Sequence, residues 1–530
     1  MLSRRRLMLT VPTAAIVLAP VTAMALTAGN SSSNASRAEC QGLLPAVAHH
    51  ANQQVIRRHL GARPTVCGGS TGWPAVENRI EVTNDGTVLY EPALQGGPVA
   101  SGDGHVPGWG TQFGAAVTSD GGAQWRAISV PVSIEDHVFD GQVDNNLYVD
   151  HVTGRLFWYM YNGGPGTPQV PYTCGSGKGA VVAYTADDGK TWSTGSDLDH
   201  DCAENPTMIS ARPTIHGEQL AGYPDVVYLC GDNASTGIAT SGTLGYSCSK
   251  SLDGGKNWRG TTVDRQTGQG FYSGLERDKT DPYPQCKGQA SSAGATVQPL
   301  ADGTLLVVVS CNNQSYLSAS NDEGATWKIV HELPHDGTLR SDAAGNLYLL
   351  AGPSGVPLMP ATRSGNKLLL SHSTDGGAHW SKPINIVAPY VKSVGTFMFV
   401  QGTFSRGLIG HIAVAYYGIR DDQSSDARNG YSDGFITATQ NALAPDPVFW
   451  SGQVNRDGNP LLYNTRTSGN IGITVLDFNG GAWSPDGMTV WGSWVQDCGA
   501  NFASDASCQS RYPHTNPGNP DDGYAGHLSW

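Results

Sequence analysis

The stretch Ser251-Leu-Asp253-Gly-Gly255-Lys-Asn-Trp258 belongs to a pattern, Ser/Thr-x-Asp-x-Gly-x-x-Trp, that occurs five times along the chain. In each copy the short aspartate side chain can accept hydrogen bonds from backbone N–H groups two or three residues further on, which closes a tight loop. The glycine can adopt positive φ without steric cost, and the tryptophan is a large apolar plate that can pack against a neighbouring strand pair. The pattern predicts a hairpin turn, called a box turn below. The five box turns contain Asp120 and Trp125, Asp187 and Trp192, Asp253 and Trp258, Asp322 and Trp327, and Asp375 and Trp380.

A second pattern recurs in phase with the first. A glycine or another turn residue precedes an apolar, aromatic-rich segment seven times, and the first five of these segments each precede one box turn. A spacing of about 40 to 80 residues is typical of propeller repeats, whose four-stranded blades bury their faces against their neighbours. A sandwich of unrelated hairpins offers no reason for the two patterns to return in phase. We therefore predict an all-β propeller of seven four-stranded antiparallel blades, with six blades as the alternative, over residues 76–497. The seven segments are 86–90, 154–159, 223–229, 303–308, 345–350, 410–416 and 487–491.

Composition and charge restrict the class of protein. Of 530 residues, 39% are hydrophobic and 15% charged, which is enough apolar material for a core and too little charge for a disordered chain. The formal net charge of −13 argues against a nucleic-acid partner, because phosphate binding needs clustered lysine and arginine. No segment after the N-terminus is long and apolar enough to span a bilayer. The mature protein is expected to be a soluble monomer without membrane insertion.

The N-terminal residues predict export. Arg4, Arg5 and Arg6 precede an apolar run that extends to about Leu26, and Ala23-Met24-Ala25 matches the small-residue pattern of signal peptidase sites. Residues 1–25 are predicted to be a signal peptide of the general secretory or twin-arginine type, which implies a secreted protein, and the twin-arginine type implies a bacterial source. An uncleaved membrane anchor is the alternative. Residues 26–75 are predicted to be a linker and a short N-terminal segment with a helical stretch, and residues 498–530 a C-terminal tail.

All ten cysteines follow the predicted signal peptide. An even number in an exported chain favours disulfides, and pairing in sequence order closes five short loops. The chain has no Cys-x-x-Cys with matching histidines, and His49, His50 and His151 lack metal-ligand spacing, so no metal or other cofactor is expected. The Asn455-Arg-Asp457-Gly-Asn459 stretch predicts a polar turn, with a calcium loop as the alternative. The predicted pairs are Cys40–Cys67, Cys174–Cys202, Cys230–Cys248, Cys286–Cys311 and Cys498–Cys508.

The box turns resemble the Asp-box (BNR) repeats of the sialidase superfamily, and the resemblance extends from about Arg79 to about Val495. It implies the propeller fold, with the boxes on peripheral turns. It also implies glycosidase chemistry, in which three arginines hold the substrate carboxylate and a carboxylic acid serves as acid/base. The first arginine of that family lies ahead of the first box, and Asn78-Arg79-Ile80-Glu81 occupies this place, with Glu81 where the family has proline. The segment 309–316, where another arginine is expected, contains none.

Candidate site residues follow from the propeller architecture, because ligands bind at the mouth of the central channel, where the innermost strands begin. We expect catalytic roles for Arg79, Asp144, Glu204 and Arg340, since carboxylates beside arginines can perform acid/base work on a glycosidic bond. The partner is then a glycan or glycoconjugate. The leading hypothesis is an exported, carbohydrate-directed propeller that acts as a sialidase-like glycoside hydrolase. A non-catalytic propeller that binds a glycan or a protein, and a polysaccharide lyase, are the alternatives. The other polar residues of the predicted ring are Glu81, Asn145, Asn205, Gln289, Gln401 and Asn470.

Overall fold

Almost all the regular structure is β-strand. Among the residues that the structure describes, helix is confined to Gln53–His59 and to a 3-10 turn at Leu60–Ala62, and neither is long and apolar enough to cross a membrane. Residues 1–25, the predicted signal peptide, lie outside the described residues. The computed structural model describes residues 40–50, 53–72, 78–91, 114–129, 133–134, 137–138, 146–161, 180–196, 198, 203–214, 217–233, 246–260, 262–263, 270–271, 296–311, 314–352, 366–394, 408–422, 432–457, 459–461, 480–496 and 522–530.

Seven antiparallel sheets form the blades of a β-propeller, which confirms the predicted fold and the predicted number of blades. Each of the seven apolar segments predicted from the sequence contains the start of the second strand of a blade. From first to fourth strand, blade 1 is Arg79–Val82, Val88–Glu91, Gly114–Thr118 and Arg126–Ser129; blade 2 is Asn146–Asp150, Arg155–Tyr161, Ala180–Thr185 and Ser193–Thr194; blade 3 is Ala203–Ala211, Val226–Asn233, Tyr246–Ser251 and Arg259–Gly260; blade 4 is Gln298–Pro299, Leu305–Cys311, Gln314–Ser320 and Lys328–Glu332.

The remaining blades follow the same order. Blade 5 is Thr338–Ser341, Leu347–Ala351, Leu369–Ser373 and Ile384–Asn385; blade 6 is Val391–Val394, Ile412–Arg420, Asp433–Thr439 and Phe449–Gln453, with Val47–His49 as a fifth strand; blade 7 is Gly481–Trp483, Thr489–Gln496, Asp522–Ser529 and then Thr65–Ser70. Two short strand pairs, Ser133–Ile134 with His137–Val138 and Thr262–Val263 with Gly270–Phe271, lie between blades in sequence.

The two ends of the chain close the ring. The N-terminal strand Thr65–Ser70 pairs antiparallel with Asp522–Ser529 and supplies the outermost strand of blade 7. Both strands lie outside residues 76–497, so the propeller extends further in both directions than the expected range. The predicted disulfide between Cys40 and Cys67 is present and ties the closing strand to the segment before it. The second predicted pair within the described residues, Cys230–Cys248, joins adjacent strands of blade 3.

The other predicted disulfides fall on residues that the structure does not describe in full. Cys174, Cys202, Cys286, Cys498 and Cys508 lie outside the described residues, and Cys311 ends the second strand of blade 4, where its side chain is not described. These three pairs stay predictions.

The apolar core is divided among the seams between blades. Each strand presents alternate residues to its two faces, so one blade contributes to the seam on either side. Between blades 1 and 2, for example, Leu89 and Val117 pack with Leu147 and Trp158. The same arrangement closes the ring, where Ile80 of blade 1 packs with residues of blade 7. No blade buries both faces alone, which is the physical reason for the closed ring.

The box turns join the third strand of a blade to the fourth, and the serine or threonine is the centre of each. In the third box turn, Ser251 Oγ donates to Asp253 Oδ1 at 2.9 Å and accepts from the N–H of Gly255 at 2.8 Å. The carboxylate accepts the N–H of Asn257 at 2.9 Å, four residues on rather than the expected two or three. The indole N–H of Trp258 donates to the Gly255 carbonyl at 3.0 Å. The ring packs toward the preceding blade, as predicted.

Positive φ extends over two residues in every box turn. The expected glycine has it, as at Gly255 with φ 92°, where a Cβ would lie 2.8 Å from the Phe157 ring. The residue before this glycine has it as well, although two of the five copies carry side chains there: Gly121 78°, Asp188 58°, Gly254 73°, Glu323 60° and Gly376 72°. The left-handed backbone is therefore a property of the turn and not of glycine alone.

Blades 6 and 7 differ from the others at this turn. In blade 6, Thr439 Oγ1 donates to Asn441 Oδ1 at 2.7 Å, and Asn441 Oδ1 accepts the N–H of Val448 at 3.1 Å. A Thr-x-Asn sequence therefore replaces Ser/Thr-x-Asp, and its hydrogen bonds close a longer turn. In blade 7 the third and fourth strands come from opposite ends of the chain, so no turn joins them.

Candidate functional site

A cavity of about 720 Å³ lies between the innermost strands of blades 1 to 5. It is located where these strands end and turn back into the second strands. Because strand direction alternates across a blade, the box turns lie at the same end. The lining includes a set of exposed residues, the rim, and a set of buried polar residues, the floor. The exposed rim is Val152, Arg212, Pro224, Ala301 and Ala343, and the buried polar floor is Glu81, Thr207, Ser210, Gln298 and Arg340.

Thr207 reaches the floor from an irregular strand. The pairing of the first two strands of blade 3 shifts register between Glu204 and Thr207. Pro206 lies in this interval, and a proline cannot donate to the strand ladder, which is typical of a bulge that redirects a side chain. Thr207 is only 6% exposed, and its hydroxyl has no hydrogen-bond partner among the described residues. A buried hydroxyl without a partner is costly unless a ligand or water satisfies it.

A chain of hydrogen bonds fixes the wall between blades 2 and 3. Ser210 Oγ donates to Asp150 Oδ1 at 3.1 Å, and its backbone N–H donates to Tyr148 Oη at 2.8 Å. Because the serine proton is used, the contact of 2.6 Å between Tyr148 Oη and Ser210 Oγ places the phenol as its donor. Tyr223 Oη donates to the other oxygen of Asp150 at 2.5 Å. The two cavity-lining side chains, Tyr148 and Ser210, are thereby held in one orientation.

Blades 4 and 5 contribute the cationic part of the floor. Arg340 Nη1 donates to Thr296 Oγ1 at 2.5 Å and to the Leu339 carbonyl at 2.8 Å. Gln298 Nε2 donates to the Val297 carbonyl at 2.8 Å, and its Oε1 accepts the N–H of Ser341 at 3.3 Å. Both residues are 8% exposed, so a guanidinium charge and an amide are fixed beside the cavity.

Glu81 is the floor carboxyl group. Burial raises its pKa well above the usual value, while a backbone hydrogen bond from Val82 and the positive charge of Arg79 act in the opposite direction. The protonated form is therefore favoured relative to an exposed glutamate, and such a group can donate a proton or a hydrogen bond.

Asp342 also lines the cavity, but its carboxylate accepts hydrogen bonds from other groups of the protein. Its carboxylate accepts hydrogen bonds from the N–H groups of Ala344, Asn346 and Gly410, at 2.9, 3.1 and 3.2 Å. It also accepts the Tyr348 hydroxyl at 2.8 Å. Asp342 therefore holds the turn after the first strand of blade 5. Asp225, 3% exposed, is a further carboxyl residue of the lining.

The structure brings some of the predicted site residues together. Arg340 and Glu81 line one cavity. Arg79 is on the same face of its strand as Glu81, is 3% exposed, and lies two residues nearer the start of the strand. Glu204 is in the first strand of blade 3, as is Asn205, but their side chains are not described. Asp144, Asn145, Gln289, Gln401 and Asn470 lie outside the described residues.

The cavity lies at the other end of the innermost strands from the predicted ring, and most residues of that ring lie outside the described residues. The predicted ring was placed where the innermost strands begin, whereas the described cavity lies where they end. The innermost strand of blade 6 is Val391–Val394, so Gln401 follows this strand in sequence and does not precede it. The floor residues Thr207, Ser210 and Gln298 were not predicted. Their side chains are ordinary for strands, and the proline next to Thr207 was the only local signal.

His49, His151 and Asn455 are held by hydrogen bonds to protein groups. His49 Nε2 contacts Ser451 Oγ at 2.7 Å, and His151 Nδ1 contacts Asn84 Oδ1 at 2.7 Å. Asn455 holds a polar turn by accepting the N–H of Gly434 and donating to Asp433. Within the described part of the chain, no three histidine, cysteine, aspartate or glutamate side chains are grouped as metal ligands.

Comparison with protein-family models and with curated proteins gives no match. Among solved structures, an α-L-arabinofuranosidase of Fusarium graminearum is similar at 12% identity and a TM-score of 0.35, over 72% of this chain and 94% of that one. A PL25 ulvan lyase is similar at 10% identity and a TM-score of 0.36, over 74% and 96%. An endosialidase of phage phi92 is similar at 11% identity and a TM-score of 0.36, over 88% and 69%. Similarity at this level transfers none of these activities to the chain.

Proposed function

We propose that the protein is an exported, carbohydrate-directed propeller that binds a saccharide in the central cavity. Sugar hydroxyls both donate and accept hydrogen bonds, and the lining offers donors in Arg340 and Gln298 and acceptors in Asp225. Its apolar part, such as Leu147 and Met208, suits the C–H faces of a sugar ring. The volume of the cavity lies within the range of about 300–1,000 Å³ that is usual for small-ligand sites.

The observation that carries the proposal is the hydroxyl of Thr207. It is buried beside the cavity and has no partner in the described part of the protein. Leaving such a group unsatisfied costs about 1–3 kcal/mol, so a ligand hydroxyl that bonds to it recovers this cost. The disulfides Cys40–Cys67 and Cys230–Cys248 support export, because disulfides persist in oxidising compartments.

Glycoside hydrolysis is the second candidate, and Glu81 favours it. Hydrolysis of a glycosidic bond needs a protonated carboxylic acid and a second carboxyl group as base or nucleophile. Glu81, with its raised pKa, has the character of the acid, and Asp225 is assigned the second role. Arg79, two residues from Glu81, occupies the place of the first arginine in the sialidase-like pattern, so a sialoside belongs among the substrates tested.

The binding proposal is tested by glycan-array screening followed by calorimetric titration of the saccharides found. Thr207→Val is expected to weaken binding about fivefold to tenfold, because one hydrogen bond contributes about 0.5–1.5 kcal/mol. Thr338→Val is the matched control. Thr338 is also a buried innermost-strand threonine whose hydroxyl lacks a described partner, but it is not part of the cavity lining. Equal effects of the two variants, or no binding of any glycan, would contradict the proposal.

The catalytic candidate is tested with a panel of aryl glycosides that includes a sialoside. Turnover that is lost in Glu81→Gln and retained in Glu332→Gln supports hydrolysis, since Glu332 is an exposed carboxylate at the edge of blade 4. Saturable binding without turnover leaves a non-catalytic glycan-binding propeller. Release of unsaturated sugar products from a uronate polymer identifies the lyase alternative.

A further inference from the structure

We infer that the cavity wall between blades 2 and 3 selects a hydrogen-bond donor on the ligand, so that the saccharide presents an unsubstituted hydroxyl or an amino group to Tyr148 and Ser210. The inference rests on the proposed function and specifies the ligand of the same cavity. A sulfate ester, a carboxylate or an ether oxygen at this position accepts hydrogen bonds but has no proton to give, and the wall discriminates against it.

Asp150 sets the direction of the hydrogen bonds in this wall. It is 0% exposed, and its carboxylate can only accept. The N–H of Val152 donates to Oδ1 at 3.1 Å, and the Tyr223 hydroxyl donates to Oδ2 at 2.5 Å. Ser210 Oγ lies 3.1 Å from Oδ1, and in a contact with a carboxylate the serine is the donor. The single hydroxyl proton of Ser210 is therefore used within the protein.

The proton of Tyr148 is used within the protein as well. Its hydroxyl lies 2.6 Å from Ser210 Oγ, and because the serine proton is given to Asp150, the phenol is the donor in this contact. The backbone N–H of Ser210 donates to Tyr148 Oη at 2.8 Å, so two hydrogen bonds hold the pair together. Both residues line the cavity. A ligand group in polar contact with either oxygen must therefore supply the proton itself.

The charges around the cavity favour the same orientation of the ligand. Asp150 is in contact with Ser210, and Asp225, which precedes the second strand of blade 3, lines the cavity. Arg340 of blade 5 also lines the cavity and carries a positive charge. Electrostatic interactions are stronger at low dielectric, so these charges draw a donor toward blades 2 and 3 and an acceptor toward blade 5.

The inference is tested with two analogues of a saccharide found by array screening, in which one hydroxyl is replaced by an amino group or by fluorine. An ammonium group can only donate, whereas fluorine cannot donate. A crystal structure of the complex identifies the hydroxyl that contacts Tyr148 or Ser210. At this hydroxyl we expect fluorine to weaken binding by about tenfold or more, and the amino group to change it by less than about threefold. At the hydroxyl nearest Arg340 the amino analogue should bind more weakly than the fluoro analogue.

Tyr148→Phe separates hydrogen bonding from a purely structural role. Loss of the phenol oxygen should reduce the difference in affinity between the amino and fluoro analogues, whereas a structural role would weaken the binding of both analogues equally. Tyr184→Phe is the matched control, since Tyr184 is another partly buried tyrosine of blade 2 but is not part of the cavity lining. It should keep the full difference.

Equal affinities of the two analogues at the hydroxyl beside Tyr148 and Ser210, or tighter binding of the fluoro analogue, would overturn the inference and leave saccharide binding in place. A complex with an ether, carboxylate or sulfate oxygen against these two residues would overturn it too. Absence of binding to any glycan would instead contradict the proposed function, and the inference with it. The analogues are compared on the unsubstituted protein, so this test does not depend on the folding of Tyr148→Phe.

Discussion

Glu323 and Lys250 form a buried ion pair across the seam between blades 3 and 4, with Glu323 Oε2 2.9 Å from Lys250 Nζ. The glutamate side chain is 0% exposed and the lysine side chain 5%. Glu323 occupies the position of positive φ in the fourth box turn, where three of the other turns have glycine. The lysine also contacts the half-exposed carboxylate of Glu218 at 3.0 Å. This box turn therefore fastens two blades as well as closing a hairpin.

Glu323→Gln is expected to destabilise the protein by about 3 kcal/mol, because removal of one partner leaves a buried charge only partly compensated. Arg259→Gln breaks the exposed contact between Arg259 and Glu218 and should cost less than about 1 kcal/mol. Chemical denaturation measures both free energies of unfolding. Similar losses in the two variants would show that the buried pair contributes no more than an exposed one.

The closing strand of blade 7 is expected to be sensitive at Gly68. A Cβ at this position would lie 2.3 Å from the Val454 carbonyl oxygen, so Gly68→Ala requires the backbone of blade 6 or 7 to move. We expect a loss of about 1–3 kcal/mol in the free energy of unfolding. Gly61→Ala is the control, because no atom lies within 4 Å of the added Cβ. A Gly68→Ala protein as stable as the control would contradict the packing at the ring closure.

The turn of blade 6 is predicted to act as a box turn despite its different sequence. Asp253→Ala removes the acceptor of the third box turn, and Asn441→Ala removes its counterpart in blade 6. Each should cost about 1–2 kcal/mol, as the loss of a capping side chain does. Lys256→Ala, at an exposed position of the third box turn, should have little effect. A neutral Asn441→Ala would show that the turn of blade 6 is held by other contacts.

Acidic pH is predicted to weaken the ring closure through His527. Burial lowers the pKa of His527 from 6.5 to about 4, so the folded state favours the neutral ring. The unfolded chain binds the proton first as pH falls, and stability is lost between about pH 6.5 and pH 4. His527→Gln should lose less stability than the unsubstituted protein between pH 7 and pH 5, measured by denaturant midpoints. An identical loss of stability in both proteins would mean that His527 does not cause the acid sensitivity.

Glu81 is predicted to lower the stability of the protein as pH rises, whereas His527 lowers it as pH falls. Its pKa is raised in the folded state, so stability is greatest below the usual glutamate pKa and falls as pH rises toward the folded value. Glu81→Gln should remove this part of the decline, and its stability relative to the unsubstituted protein should increase with pH. A constant difference between the two proteins from pH 5 to pH 8 would mean that Glu81 is not shifted.

The blades were predictable because their signals are local. A box turn and a glycine-led strand each lie within about ten residues of sequence, and their common period indicates the ring. The closing strand Thr65–Ser70 has neither signal and pairs with residues more than four hundred positions away. Asn441 was missed for a related reason, since an amide replaces the carboxylate in an otherwise similar clasp.

The site was predictable only in part. Arg340 and Glu81 were identified as polar residues of the predicted ring on the innermost strands, and Glu81 also stands where the sialidase-like pattern has proline. Thr207 and Gln298 carry no such signal, and their importance comes from burial beside a cavity, which is a tertiary property. The cavity is formed by turns from several blades that pack together, and a repeat pattern along one chain does not contain this information.

A crystal structure of the protein with a saccharide identified by array screening is the most direct test of the cavity as the ligand site. We predict electron density for the sugar between the rim and the floor, with a ligand hydroxyl within hydrogen-bond distance of Thr207 Oγ1. Density at the opposite end of the innermost strands, beyond Asn78 and Arg79, with the cavity near Thr207 holding only water, would contradict the assignment.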